Sequence, residues 1–181
     1  ALAPAGVDLT VVACSHAGEL DPEDVARAVR KETRAIVLTH ASNVTGTIMP
    51  AAAVGRIARE REVLFCVDAA QTAGALPIDV QAMYIDLLAF TGHKSLFGPQ
   101  GTGGLYVRDG LEREVRPSMR GGTGSHAERE EQPGFMPDCY ESGTPNTVGA
   151  AGLDAGVGFV TARGIENIRA HEERLTGLFL A

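Results

Sequence analysis

Short, nearly continuous apolar runs at residues 35–39 (AIVLT), 63–67 (VLFCV) and 85–90 (IDLLAF), interleaved with helix-like segments, constrain the fold of this chain more than any other feature. Runs of this length suit strands covered on both faces, and their alternation with helices is the pattern of a parallel sheet. In residues 21–31 (DPEDVARAVRK), Asp21 supplies an N-cap, Pro22 the first helical position, and Glu23 and Asp24 an acidic first turn. Pro50 opens a second helix running to about Glu60, in which Val54, Ile57 and Ala58 recur at helical spacing. Residues 7–13 (VDLTVVA) read as a further strand, and residues 103–108 (GGLYVR) as another whose direction the pattern leaves open. The expected fold class is α/β: a three-layer α/β/α sandwich around a mostly parallel sheet. No self-similarity at a period of 20 to 50 residues suggests a solenoid.

Beyond Arg108 the character changes. Residues 108–141 are charged, glycine-rich and aperiodic, the kind of excursion that is functional or mobile in a compact domain. Residues 147–162 (TVGAAGLDAGVGFVTA) form a helix whose small residues permit close packing, and Gly164 separates it from a last helix over 165–179. With 181 residues the chain is long enough to bury a core without disulfides or metals. A net charge of −7 with no Lys/Arg block argues against nucleic-acid or anionic-membrane partners. Cys14, Cys66 and Cys139 are widely spaced and expected to be free thiols in a reducing compartment. Cys66 reads as core, Cys14 follows a strand, and Cys139 reads as the loop thiol with exposure. No apolar stretch approaches the roughly 18 to 20 residues of a membrane span, and residues 1–4 lack the start of a signal peptide. A cytoplasmic location is the expectation.

Polar groups cluster where the strands end: residues 39–43 after the first run, Asp68 and Gln71 after the second, and Thr91, His93 and Lys94 after the third. Open α/β sheets bind ligands outside their carboxyl ends, so groups far apart in sequence converge there. Glycines 98, 101, 103 and 104 mimic a nucleotide loop, but no G-K-[ST] ends them and Lys94 precedes them. They are read as permitting a tight course beyond Lys94. His16, His40, His126 and His171 show no metal-ligand spacing, so no metal is expected; for His126, in the irregular segment, an approach to the mouth of the site is the less favoured reading.

The runs SNVTG (42–46) with Pro50, DAAQ (68–71), TGHK (91–94) followed by GPQGTG (98–103), and ESGTPN (141–146) resemble the class V, fold-type I pyridoxal-phosphate enzymes, in the cysteine desulfurase and selenocysteine lyase branch. The resemblance covers nearly the whole chain. It implies that residues 1–163 are a partial cofactor-binding large domain and residues 164–181 a helix leading toward a C-terminal small domain absent here. By resemblance, Lys94 forms the Schiff base with pyridoxal 5'-phosphate and Asp68 partners the pyridine nitrogen. Gln71 donates to the ring phenolate, Asn43 orients that side of the cofactor or the substrate carboxylate, and Thr91 and His93 bind the phosphate. Thr144 would reach the phosphate of the other subunit, which implies a homodimer with shared sites. Each residue also has a plainer reading: a surface lysine, a turn aspartate capping the next segment, a turn amide at Asn43, a structural imidazole at His93, or helix capping by Thr144 and Asn146.

The parent reaction implied is conversion of L-cysteine to L-alanine with enzyme-bound persulfide, passed to a sulfur-acceptor protein. The alternatives are a class V aminotransferase or selenocysteine lyase, and a non-catalytic cofactor-binding or assembly fragment. The upstream phosphate loop and stacking residue, the substrate-binding arginine and the mobile cysteine of the family have no counterpart in these residues. The 181-residue chain is therefore expected to be weakly active or inactive alone.

Overall fold

The computed structural model describes residues 6–122, 125–126 and 128–181; the signal-peptide reading of residues 1–4 lies outside them. Helix α1 spans Pro22–Ala28, with the Asp21 carboxylate accepting from the Glu23 amide at 2.9 Å. It stops three residues before the expected end. The Arg30 amide donates to the Thr33 hydroxyl at 2.8 Å, a local bond that competes with continued helix. Strand β1 spans Ala35–Thr39, helix α2 Ala51–Glu60, and β2 Leu64–Asp68. Strands β3 (Leu87–Thr91) and β4 (Gly103–Val107) complete a four-stranded sheet in the order β1-β2-β3-β4. The first three run parallel and β4 pairs antiparallel to β3, which fixes the direction the sequence left open.

The expected strand at residues 7–13 does not form. Residues 10–13 share a groove with Asp24, Arg27 and Ala28 of α1, so their backbone lies along a helix rather than a strand edge. Thr10 accepts a hydrogen bond from Arg30 at 3.3 Å, and Val12 leans on the core. Leu9 and Val11 remain 75% and 81% exposed. Apolar alternation supplies a face but not a partner, and a strand needs both.

The core lies between α1 and α2 and one face of the sheet. Val25, Val54 and Ala58 of the helices meet Leu38, Phe65, Val67 and Leu88 of the strands, with Phe65 and Val67 wholly buried. Strand residues alternate between faces, and the register places Val37, Cys66, Ala89 and Leu105 on the side away from this core. That second face is poorly covered by the described residues: Val37 is 73% exposed and Leu105 47%. Cys66 accordingly sits half-buried on the side opposite Phe65 and Val67, not in the core as its apolar run suggested.

After β4 the chain makes a short 3-10 turn at Leu111–Arg113 and then an irregular stretch. This stretch is nonetheless ordered by specific bonds: Tyr140 donates to the Val115 carbonyl at 2.7 Å, and Gln132 joins the Gly121 amide to the Asp138 carbonyl. Cys139 is 5% exposed, with its sulfur 3.3 Å from that of Met136. The expectation that it is the accessible thiol is corrected, since its loop folds back over it; the exposed thiol is Cys14. His126 contacts the Phe135 ring and lies 3.5 Å from Glu128.

Helix α3 (Thr147–Arg163) starts at Asn146, whose side chain accepts from the Gly149 amide at 3.0 Å. Its small residues are used for close approach: a Cβ on Gly156 would stand 2.2 Å from the Leu96 carbonyl oxygen. Gly164, with φ 80°, breaks the helical path before α4 (Ile165–Leu180), which buries none of its residues. No helix among the described residues is long and apolar enough to cross a membrane.

Candidate functional site

Register brings the carboxyl ends of the parallel strands together. Thr39, Asp68 and Ala89 stand abreast, and Thr91 at the end of β3 faces Gly103 at the start of β4. The polar groups of three loops therefore meet at one edge of the sheet. Asp68 is exposed there, with one carboxylate oxygen accepting from the Ala70 amide at 2.9 Å. The turn-capping role is thus real, and it leaves the second oxygen free for another donor. Gln71 lies half-buried in the following turn.

Asn43 occupies an exposed loop that Ser42 closes. The Ser42 hydroxyl accepts from the amides of Val44 and Thr45, both at 3.1 Å, and the Ala41 and Ile48 backbones bridge the base. Ser42 does the local work that the plainer reading assigned to Asn43, whose side chain makes no hydrogen bond to the described residues.

Lys94 rides on a loop closed by two backbone bonds, from the Gly92 amide to the Thr102 carbonyl and from the Gly98 amide to the Gly92 carbonyl, both 2.8 Å. The start of β4 approaches β3 so closely that a Cβ on Gly103 would lie 2.5 Å from the Phe90 carbonyl oxygen. Phe97, in the same loop, has φ 55°, a conformation a bulky residue adopts only under constraint. Its ring is held edge-on to Phe159 of α3 at 5.4 Å. The lysine itself is exposed and makes no ion pair or hydrogen bond through its side chain to the described residues. A surface lysine held in an ion pair is not what the structure shows.

Just before the lysine, the Thr91 hydroxyl and His93 Nδ1 are 2.8 Å apart. When the hydroxyl donates to Nδ1, the ring proton sits on Nε2 and is available to an anion. Thr144 is exposed, and the chain beside it reaches the same edge: the Asn146 side-chain Nδ2 donates to the Gly101 carbonyl at 3.5 Å while its Oδ1 caps α3. Asn146 takes the capping role alone, because Thr144 makes no side-chain hydrogen bond to the described residues. The site residues line neither of two clefts among the described residues, one between residues 10–13 and α1, the other beside Tyr84 and Arg108. They form an open shelf.

One buried pair at this edge was missed by spacing arguments. His40, directly after β1, places Nδ1 2.9 Å from the Thr72 hydroxyl, and both side chains are almost wholly buried. The only sequence signal was a histidine and a threonine each adjoining a motif, 32 residues apart. Burial pushes the His40 imidazole below its usual 6.5, so the folded chain resists a proton that the unfolded chain accepts. Stability is therefore full above pH 6.5 and falls as pH drops from there toward the lowered folded value, by at most about 1.4 kcal/mol per pH unit. Denaturant midpoints compared at about pH 7.5 and about pH 5.5 should show this loss, and His40→Gln should shrink it.

Burial, and then the neighbouring Asp68 charge, push the Cys66 thiol up; burial chiefly does the same to Cys139. Both are held as thiols and make poor nucleophiles. No cluster of His, Cys, Asp or Glu among the described residues is arranged to hold a metal ion.

The family model described as aminotransferase class-V matches residues 1–181. A probable cysteine desulfurase of Methanothermobacter thermautotrophicus is 38% identical over 175 residues, covering 94% of this chain and 43% of that protein. The solved apo cysteine desulfurase of Thermococcus onnurineus superposes with a TM-score of 0.85 at 33% identity, covering 97% of this chain and 44% of the other. A structure of SspA in complex with cysteine superposes with a TM-score of 0.74 at 34% identity, over 86% of this chain and 41% of that one. The chain spans less than half the length of these relatives.

Proposed function

The chain belongs to the class-V aminotransferase family, and from that premise we propose that its sheet edge holds pyridoxal 5'-phosphate in a protein that removes sulfur from L-cysteine. The donor set suits this cofactor. A free amine at Lys94, an exposed carboxylate at Asp68 and a hydroxyl–imidazole pair at Thr91 and His93 match, respectively, an aldehyde, a pyridine nitrogen and a phosphate. When bound, the cofactor supplies an electron sink for bonds broken at the amino-acid α-carbon and beyond.

The residues of this chain do the positioning. Asp68 accepts a charge-assisted hydrogen bond from the ring nitrogen and keeps it protonated. Gln71 donates to the phenolate side of the ring without adding a titrating charge, and Asn43 orients the same side or the substrate carboxylate. His93 would donate its Nε2–H to a phosphate oxygen, and the Thr91 hydroxyl, giving its proton to Nδ1, fixes the ring in that tautomer. Lys94 would hold the cofactor through its amine, and the same amine is placed to take up or give back a proton beside the reacting carbon. In the net reaction a thiol attacks the substrate sulfur, the carbon–sulfur bond breaks with its electron pair kept by carbon, and carbon takes a proton. The products are alanine and a persulfide. Cys66 and Cys139, held as thiols, are unsuited to receive that sulfur. A second copy of the chain would bring Thr144 to the neighbouring phosphate, and an acceptor protein would take the persulfide sulfur.

The observation that carries this reading is the convergence of Asp68, Thr91, His93 and an unpaired Lys94 on one edge. Likeness to a probable cysteine desulfurase, to a solved cysteine desulfurase and to a protein solved in complex with cysteine favours that substrate over other amino acids. The test uses the 181-residue chain and the longest reading frame containing it, each incubated with pyridoxal phosphate, L-cysteine and a reducing thiol. Alanine and sulfide in equal amounts from the longer chain support desulfuration. A keto acid with an aminated cofactor would instead establish transamination, and the 181-residue chain alone is expected to turn over weakly or not at all.

A further inference from the structure

His40 and Thr72 are the buried polar side chains among the described residues, and they bond each other. His40 is tied in three directions. Its amide donates to the Asp68 carbonyl at 2.9 Å, its carbonyl accepts from the Met49 amide at 2.8 Å, and its ring meets Thr72, the residue after Gln71. The first bond joins it to the strand end carrying Asp68. The second closes the loop carrying Asn43, and the third crosses to the turn carrying Gln71. Thr72 is itself fixed, its amide donating to the Ala69 carbonyl at 3.0 Å and its hydroxyl 3.5 Å from the same oxygen.

We propose that His40 is a positioning residue for the cofactor: through Thr72 and the Asp68 peptide it sets the distance between the Asn43 loop and the Asp68–Gln71 turn. The proposal rests on the cofactor reading above. Without the side-chain bond the two segments keep the strand pairing and the His40–Asp68 backbone bond, neither of which reaches the turn carrying Gln71, and Asn43 projects from a loop bonded mainly to itself. A polar pair in a dry core is costly unless satisfied, whereas a shape-matched apolar pair fills the same space without any angular requirement. What the polar pair adds is direction. Burial disfavours the protonated ring, so above its usual 6.5 the link is a neutral hydrogen bond.

Three variants test this in the longest reading frame that contains the chain. Thr72→Ser keeps the hydroxyl; Thr72→Val keeps the shape but strands the imidazole; His40→Leu with Thr72→Val removes both polar groups and avoids the stranded partner. The double variant should melt within a few degrees of the parent yet bind pyridoxal phosphate at least roughly tenfold more weakly, with a shifted visible absorbance of the lysine-bound cofactor. In the cofactor-free protein, amides of residues 41–49 should exchange hydrogen roughly tenfold faster, and Thr72→Ser should resemble the parent in every readout. Parent affinity, spectrum and exchange in the double variant would overturn the proposal, as would an affinity loss that merely tracks lost folded fraction. A parent that never attaches pyridoxal phosphate, matching Lys94→Ala, overturns the cofactor reading and this proposal with it. The two failures are therefore told apart by the parent alone.

Discussion

Replacing Lys94 with Ala should abolish covalent attachment of pyridoxal phosphate and lower L-cysteine turnover by at least roughly three orders of magnitude, since the change removes an anchoring nucleophile and a proton carrier together. The structural cost should be small. The side chain is exposed and makes no hydrogen bond or ion pair to the described residues, while its loop is held by backbone bonds at Gly92 and Gly98 that alanine retains. Folding and turnover can thus be read separately, by thermal melting and by alanine formation. A variant that keeps the visible absorbance of lysine-bound cofactor would remove Lys94 from its assigned role.

Asp68→Asn should come second, with turnover down about 100-fold and almost unchanged melting. A hydrogen bond to a charged group is worth roughly 1.5–3 kcal/mol, or about 10- to 150-fold. Asparagine keeps an oxygen for the Ala70 amide, now bonded to Asp68 at 2.9 Å, so the turn survives. What it loses is the negative charge that keeps a ring nitrogen protonated. Asp68→Ala should match it in activity but also lose about 1 kcal/mol of stability from the broken cap. Equal turnover in wild type and Asp68→Asn would mean that the carboxylate does only the capping.

The elements with strong local signals were legible in the sequence. Asp21 and Pro22 marked the start of α1, Asn146 stands at the start of α3, and the apolar runs became β1, β2 and β3 with ends displaced by at most two residues. Failures came where a partner decides the outcome. Residues 7–13 alternate like a strand but lie against α1, Cys139 stands in a polar stretch yet is covered by its own loop, and Cys66 lies in an apolar run but faces away from the core. The meeting of Asp68, Thr91 and His93 at one sheet edge was legible because each adjoins the end of an apolar run. His40 and Thr72 were not, because their pairing depends on the β1–β2 register, which no spacing along the chain encodes.

The thinly covered sheet face carries one more implication. Asp68 projects from the same side as Val37, Cys66, Ala89 and Leu105. Any layer that settles on that apolar surface also shields the carboxylate from water, and so lowers the dielectric in which it holds a ring proton. Apolar burial and electronic tuning of the cofactor then become a single cooperative event. A copy of the chain with that face sealed would then hold the charge beside Asp68 more strongly than one with the face wet.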